Sequence, residues 1–236
     1  MKTVIHRNDT RGHADHGWLD THHTFSFANY HNPQRVNFGA LRVLNDDIVA
    51  PSMGFGAHPH DNMEIISIPI SGDLEHKDSE GNGSIIRKND VQIMSAGTGI
   101  FHSERNPSRD TRVNFLQIWI FPKLKDIAPR YGQRTYLPEK RKNALQLVVA
   151  PEENSQETLY INQDAWISLG SMDPGKELEY RLHGANGVYV FVISGKVQIN
   201  GETLNSRDGA GFSEVAELKI HSQEEAEILL IEVPLR

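Results

Sequence analysis

Two short stretches of the chain carry side chains that could bind one metal ion together. His58-Pro59-His60 and His102-Ser103-Glu104 each place two possible metal ligands at positions i and i+2. In an extended strand such residues point to the same face, so each pair can reach toward one point. If the two strands lie side by side, three imidazoles and one carboxylate surround a single position.

This donor set indicates which metals could bind. Nitrogen-rich sites suit Fe, Mn, Ni, Cu or Zn, whereas Ca and Mg want mostly oxygen. If the metal is six-coordinate, four protein ligands leave two positions for a substrate and a small gas or water. A single His-x-His is weak evidence, because most histidines are surface or hydrogen-bonded residues. Glycines at 54, 56, 97 and 99 favour the metal interpretation, since they let the backbone approach a site closely.

Length, charge and composition restrict the class of protein. The chain has 236 residues, enough for one large or two modest domains, and a net charge of −7 with no cluster of Lys and Arg, so no face for nucleic acid is expected. The absence of Cys excludes disulfides and thiolate ligands. The chain has no apolar run that could span a bilayer and no secretory signal at its start, so we expect a cytoplasmic protein that does not bind membranes.

Short alternating segments separated by turn residues predict an all-β fold, because no helical period lasts more than a turn or two. We predict strands at 24–27, 40–44 (closed by Asn45-Asp46-Asp47), 64–70, 74–77, 91–94, 114–120, 145–149, 158–161, 165–169, 187–193, 196–199 and 226–232. Residues 11–20 are predicted to be a loop. The predicted domains are 1–122, which binds metal, and 143–236. The connector between them, 123–142, is expected to contain a brief helix at 123–127 and a turn at 130–132.

Five histidines fall between residues 13 and 31, which raises the question of a second metal site. They are His13, His16, His22, His23 and His31. Their spacings do not repeat cleanly on one face, so we favour surface histidines, or histidines that hold other site residues, over a second site.

An internal repeat indicates one β-module used twice. Ile70-Ser71-Gly72 recurs as Ile193-Ser194-Gly195, each after an apolar strand and before a polar hairpin. Each copy also has an Asp before a later strand, Asp90 and Asp208. Alignment on the shared tripeptide places His58 on Arg181 and His60 on His183, and alignment on the Asp pair places His102 on Ile220 and Glu104 on Ser222. The second module therefore lacks the four ligands, and we expect it to be metal-free, with His183 and His221 in packing or surface roles.

The chain resembles the cupin superfamily, and within it the pirin family. Gly99-Ile100-Phe101-His102 with Asn106 matches the second half of the general cupin pattern. The pirin resemblance covers nearly the whole chain and is closest to bacterial members that look like quercetin dioxygenases. It rests on Arg11-Gly12-His13, Gly17-Trp18-Leu19, residues 24–30, His58-Pro59-His60, residues 94–100 and residues 102–106.

The resemblance implies a bicupin, in which two β-barrel domains lie face to face and only the N-terminal domain holds metal. It implies His58, His60, His102 and Glu104 as ligands to one divalent ion, usually Fe(II), with Zn, Mn, Ni, Co or Cu as alternatives. Ordinary cupins use the Glu after His-x-His, which is Glu64 here. We favour Glu104 as the ligand and expect Glu64 to hold the second nitrogen of a ligand histidine.

The leading functional hypothesis is a metal-dependent dioxygenase of the quercetin 2,3-dioxygenase type, with Glu104 as both ligand and catalytic base. Its partners would be a small phenolic substrate and O2, in a dry pocket walled by Phe55, Met63, Met94 and Phe101, and we expect a monomer. One alternative is a non-catalytic, metal-containing pirin-type module that binds a regulatory partner. Another is a metal-dependent isomerase or an enzyme for a different enolisable compound, because cupins host many chemistries.

Overall fold

The computed structural model describes residues 1–153 and 155–235, which form β-strands and two single-turn 3₁₀ helices at Asn8–Thr10 and Pro138–Arg141. The strands in the first part of the chain are β1 (Lys2–His6), β2 (Gly12–Asp15), β3 (Leu19–His23), β4 (Leu41–Val49), β5 (Gly54–His60), β6 (Glu64–Ser71), β7 (Leu74–Asp78), β8 (Gly83–Ile86), β9 (Asp90–Ser95), β10 (Ile100–Arg105), β11 (Val113–Ile120) and β12 (Arg130–Thr135). Those in the second part are β13 (Ala144–Ala150), β14 (Leu159–Tyr160), β15 (Trp166–Met172), β16 (Glu177–Arg181), β17 (Gly187–Ser194), β18 (Lys196–Ile199), β19 (Glu202–Asn205), β20 (Gly209–Ser213), β21 (Glu217–Ser222) and β22 (Ala226–Val233). The predicted all-β fold is confirmed.

The strands form two units with the same arrangement, each made of a seven-stranded and a four-stranded sheet. In the first unit the sheet orders are β12-β9-β6-β11-β4-β3-β2 and β5-β10-β7-β8. In the second unit they are β1-β20-β17-β22-β15-β13-β14 and β16-β21-β18-β19. Strand for strand, the two orders correspond, which agrees with the predicted internal repeat.

The two large sheets share one apolar core. Ile66 and Ile118 of the first unit belong to the same buried cluster as Ile167 and Leu229 of the second unit. Because side chains alternate along a strand, neighbours such as Ile65 point to the opposite face, into the first unit itself. Each large sheet therefore has one face toward the other unit and one toward its own small sheet.

The edge strands of the two large sheets come from unexpected parts of the chain. β1 pairs with β20 and so completes the second unit, although it lies at the start of the chain. β12 pairs with β9 in the first unit and places Tyr131 opposite Met94. β1 therefore belongs to the sheets of the second unit and β12 to those of the first, and the predicted turn at 130–132 is wrong. The segment is polar and follows a proline-rich stretch, and it becomes a strand by adding to the edge of an existing sheet.

Three other local predictions are wrong. Residues 11–20 contain β2 and the start of β3, which pair as a hairpin, and not a loop. Residues 24–27 are not a strand: Phe27 forms only an isolated bridge with Tyr30, and Thr24 N and Ser26 N bond to two separate segments, at Leu44 O and Arg35 O. Residues 123–127 form no helix. The remaining predicted strands are confirmed, with β4 extended through the residues expected to end it.

The structure also bears on membrane insertion. Within residues 1–153 and 155–235, no helix has the length and apolar character needed to cross a bilayer.

Candidate metal centre

β5 and β10 are neighbouring antiparallel strands, as the spacing of the two ligand pairs required. His102 lies directly opposite His58, and Ile100 lies opposite His60. The three imidazole rings are 4.4–4.9 Å apart between centroids, and one ring nitrogen from each lies within 4.8 Å of the others. The structure therefore brings His58, His60 and His102 together at one point.

The protonation of these rings favours metal binding. The His58 Nδ1–H donates to Gly56 O at 2.8 Å, which leaves Nε2 with its lone pair. His60 Nε2 and both His102 ring nitrogens are buried without a hydrogen-bond partner among the described residues. Burial, with a smaller contribution from His58, lowers the pKa of His60 to about 4 and that of His102 to about 2. At neutral pH the rings of His60 and His102 are therefore uncharged and can act as metal ligands.

Glu104 lies beside His102 on the same strand, after a β-bulge that places it opposite Phe55. Its carboxylate is fully buried and accepts hydrogen bonds from Ser67 Oγ at 3.0 Å and Gln117 Nε2 at 2.6 Å. Burial raises its pKa, and the bonds from Gln117 and Ser67 partly offset that rise. A carboxylate oxygen of Glu104 and ring nitrogens of His102 and His76 form a second set within 4.8 Å, so His102 belongs to both sets.

Glu64 has a different role from the one expected. Its Oε2 accepts from Ser95 Oγ at 2.8 Å and from the backbone N of Asn162, in the second part of the chain, at 3.2 Å. No histidine among the described residues donates to it, so the prediction that Glu64 holds a ligand histidine is wrong. Glu64 begins β6 with its side chain toward the second unit, whereas the adjacent Ile65 points into the first.

Sequence reasoning missed His76, which is completely buried on β7 directly opposite Glu104. Its Nε2–H donates to Asp78 Oδ2 at 3.1 Å, and its Nδ1 is buried without a partner among the described residues. The available signal was the spacing itself, because His76 and Asp78 are also an i, i+2 pair on a strand. From the sequence, His76 is predicted only as part of a strand at 74–77.

A cavity of about 300 Å³ opens beside His58, His60 and Glu104. Phe27, Phe55 and Trp119 form aromatic walls, and Trp119 contacts both Phe27 and His60 edge to face. Of the four predicted wall residues only Phe55 is part of the cavity lining. Met63 and Met94 belong to an apolar cluster, and Phe101 is 57% exposed on the outer side of β10.

A polar strip lines the same cavity on β3 and β4. Thr21 is paired with Asp47, to which it donates a hydrogen bond, and His23 is paired with Asn45, with its Nδ1 at 3.0 Å from Asn45 Oδ1. Burial raises the pKa of Asp47 to about 7. Two of the three residues expected to end the strand at 44 are thus buried cavity groups, Asn45 and Asp47.

The five N-terminal histidines divide between the cavity and the surface. His16 and His23 line the cavity, and His31 is exposed. His13 and His22 lie opposite each other, stack at 4.4 Å, and approach Asp20 Oδ1 at 2.9 and 3.7 Å. The strand register therefore groups residues whose spacing in the sequence showed no pattern, and the contact between His13 and Asp20 is accessible to solvent.

Comparisons with known proteins agree with this architecture. Residues 4–120 match the family model described as Pirin, and residues 147–233 match the one described as Quercetinase C-terminal cupin domain. A protein of Escherichia coli K12 named quercetin 2,3-dioxygenase is 40% identical over 230 residues, which are 98% of this chain and 98% of the relative. A pirin-like protein of Caulobacter vibrioides is 39% identical over 224 residues, covering 95% and 96% of the two chains.

The crystal structure of the bacterial pirin YhhW from Escherichia coli in complex with nickel(II) has a TM-score of 0.94 and 38% identity, with both chains covered completely. Two stacked pairs of sheets, with a His-x-His strand beside a His-x-Glu strand, define a bicupin. The chain belongs to the pirin family, which confirms the resemblance inferred from its motifs.

Proposed function

We propose that the protein is a metal-dependent dioxygenase that cleaves a flavonol such as quercetin with O2. The observation that carries this proposal is the meeting of three histidine rings beside a buried carboxylate, next to an aromatic-walled cavity. The name quercetin 2,3-dioxygenase, borne by a relative 40% identical over nearly the whole chain, supports the same reaction class.

The proposed ligands are His58, His60, His102 and Glu104. The buried nitrogens of His60 and His102, which have no hydrogen-bond partner among the described residues, fit a divalent transition metal, with Fe(II) as the first choice and Ni(II) as the ion held by a similar bacterial pirin. When bound, such an ion supplies Lewis acidity, which lowers the pKa of a flavonol hydroxyl.

Glu104 is the proposed catalytic base. Ser67 and Gln117 each donate to one of its oxygens, so the carboxylate has a fixed orientation. Its pKa is raised by burial, which makes it a better proton acceptor than an exposed Glu. In this role it takes the proton of the 3-hydroxyl and leaves an electron-rich flavonolate that can react with O2.

The cavity supplies orientation and excludes water. Its volume of about 300 Å³ lies at the lower end of the range for small-molecule sites. Phe27, Phe55 and Trp119 offer flat apolar walls to an aromatic ring, while Thr21 and Asp47 offer polar atoms on the wall formed by β3 and β4. A small phenolic compound combines both kinds of surface.

Oxygen uptake tests the proposal. Iron-loaded wild-type protein with quercetin should consume O2, and Glu104→Gln should reduce the rate by roughly 10²- to 10⁴-fold, the usual contribution of a general base. Glu64→Gln is the matched control, because Glu64 is also buried on a strand of this unit but bonds to Ser95 and Asn162. If metal-loaded wild-type protein consumes no O2 while a known flavonol dioxygenase does so in parallel, the proposal is overturned.

A further inference from the structure

Three buried ring nitrogens on β7 and β10 have no hydrogen-bond partner among the described residues. They are Nδ1 of His76 and both ring nitrogens of His102. The two rings lie 5.3 Å apart between centroids at an angle of 47°. Burying a polar atom without a partner costs free energy, so atoms of this kind in a packed interior indicate a bond made in the functional state.

Asp78 determines which nitrogen of His76 carries the proton. The Asp78 side chain is completely buried and accepts hydrogen bonds from Asn82 N at 2.9 Å and Glu80 N at 3.0 Å, as well as from His76 Nε2. Asp78 Oδ2 is the acceptor in the 3.1 Å hydrogen bond with His76 Nε2, so the proton lies on Nε2 and Nδ1 is left as an acceptor.

His102 needs an acceptor of this kind. A neutral imidazole that binds a cation through one nitrogen carries its proton on the other. A ring nitrogen of His76 lies within 4.8 Å of a ring nitrogen of His102, and χ2 of histidine has a broad preference, so a modest ring rotation can close the gap. The oxygens of Glu104 already accept from Ser67 and Gln117.

We propose that His76, held by Asp78, is a positioning residue that accepts the N–H of His102 on the side facing away from the cation. The inference rests on the proposed function only in taking His102 as a metal ligand. Partners of this kind fix the orientation of a ligand histidine and increase its basicity. The three side chains then follow one another from the hairpin between β7 and β8 to the proposed metal position, in the order Asp78, His76 and His102.

Two substitutions separate this role from a purely structural one. The amide atoms of Asn are bonded to Cγ, so one of them can occupy the position of His Nδ1. The side chain of Gln is one bond longer, so its amide reaches the position of His Nε2. His76→Gln thus keeps the contact with Asp78 and loses the acceptor for His102. His76→Asn keeps an acceptor near His102 and loses the contact with Asp78.

Nickel(II) affinity, measured by competition with a chelator, distinguishes the two variants. His76→Gln should weaken binding by roughly tenfold to a hundredfold, and His76→Asn should stay closer to the wild type. His6→Gln is the matched control, because His6 is a buried histidine that bonds to Tyr189 and lies outside both ligand sets. It should leave nickel affinity unchanged. Thermal melting of each metal-free variant shows how much stability each substitution removes.

A second measurement observes the bond itself. In zinc-loaded, ¹⁵N-labelled protein, a His102 ring N–H protected from exchange should be present in the wild type and absent in His76→Gln. Nickel affinity of His76→Gln equal to the wild type, or greater loss in His76→Asn than in His76→Gln, overturns the proposal. Failure of the wild type to bind nickel overturns it together with the proposed function, whereas nickel binding without O2 uptake overturns only the dioxygenase.

Discussion

The two units have the same strand order but different interiors. In the second unit, fifteen buried residues form one apolar cluster between the large and small sheets. In the first unit, the buried apolar residues divide into clusters of six and four, and the histidines, Ser67, Glu104 and Gln117 occupy the interior as well. One architecture thus supports a packed core in one copy and a polar site in the other.

Strand register shows that polar residues of the first unit are replaced by apolar residues of the second unit at equivalent positions. His76 and Ile199 each lie four residues after the repeated Ser-Gly, and they are opposite Glu104 and Ile220. His102 therefore corresponds to Leu218, which faces Tyr180 as His102 faces His58.

By the same register, Ser67 corresponds to Val190 and Gln117 to Leu230. The alignment made from the sequence is therefore wrong by one residue on β16 and by two on β21. A shift of one residue exchanges the faces of a strand, so it matched His58 with an outward-facing Arg181.

The difference between the two interiors shows how a polar site affects the stability of this fold. An apolar interior buries surface at roughly 25 cal/mol per Å², whereas polar groups stabilise only when they are paired. The first unit leaves several nitrogens unpaired among its described residues, and the shared core between the large sheets remains intact. We infer that the second unit and the shared core supply stability, and the first unit supplies the chemistry.

The strongest test of this division removes metal ligands from the first unit. Protein with both His58→Ala and His102→Ala should lose stoichiometric transition metal, because the remaining ring nitrogen and carboxylate bind an ion far more weakly than the proposed set of three ring nitrogens and a carboxylate. Elemental analysis of protein purified without chelators or a His tag measures this. His183→Ala in the second unit is the control and should keep full metal content. Loss of metal in the control would place a ligand in the second unit.

A smaller effect is expected from truncating equivalent positions in the metal-free protein. Leu218→Ala should lower the free energy of unfolding by roughly 2–5 kcal/mol, since it leaves a cavity in a packed core. His102→Ala should cost less than half as much, because the ring nitrogens it removes have no hydrogen-bond partner within residues 1–153 and 155–235. Urea unfolding measures both. Equal costs would show that the first interior is packed as efficiently as the second.

The smallest expected effect concerns acid. His102 has its pKa lowered to about 2 and His60 to about 4, so between pH 6.5 and 4 the unfolded state binds protons that the folded state does not. Stability of the metal-free protein should therefore fall as the pH is lowered from about 6.5 to about 4. His102→Leu, which copies Leu218, should recover roughly 2–3 kcal/mol of the loss at pH 4. A variant with unchanged acid sensitivity would show that His102 does not resist protonation.

The edge strands show what local sequence patterns could not predict. β6, β11, β17 and β22 could be predicted because their apolar runs are long and buried on both faces. β12 could not, because its residues are polar and half-buried and its strand geometry comes from pairing with β9. Similarly, the polar residues Asn45 to Asp47 indicated the end of a strand, yet they continue β4 because their side chains find partners in the interior.

The sequence by itself determined the all-β class, the repeated module, and the i, i+2 spacing that puts His58 with His60 and His102 with Glu104 on common faces. These are local properties, set by the two-residue period of a strand. Only the tertiary structure decided that Glu64 faces the second unit, that His76 with Asp78 lies behind His102, and that Leu218 takes the place of His102 in the second unit. Those facts depend on the register between strands that are distant in the chain. Pairing across the sheet sets this register, and local residue spacing does not.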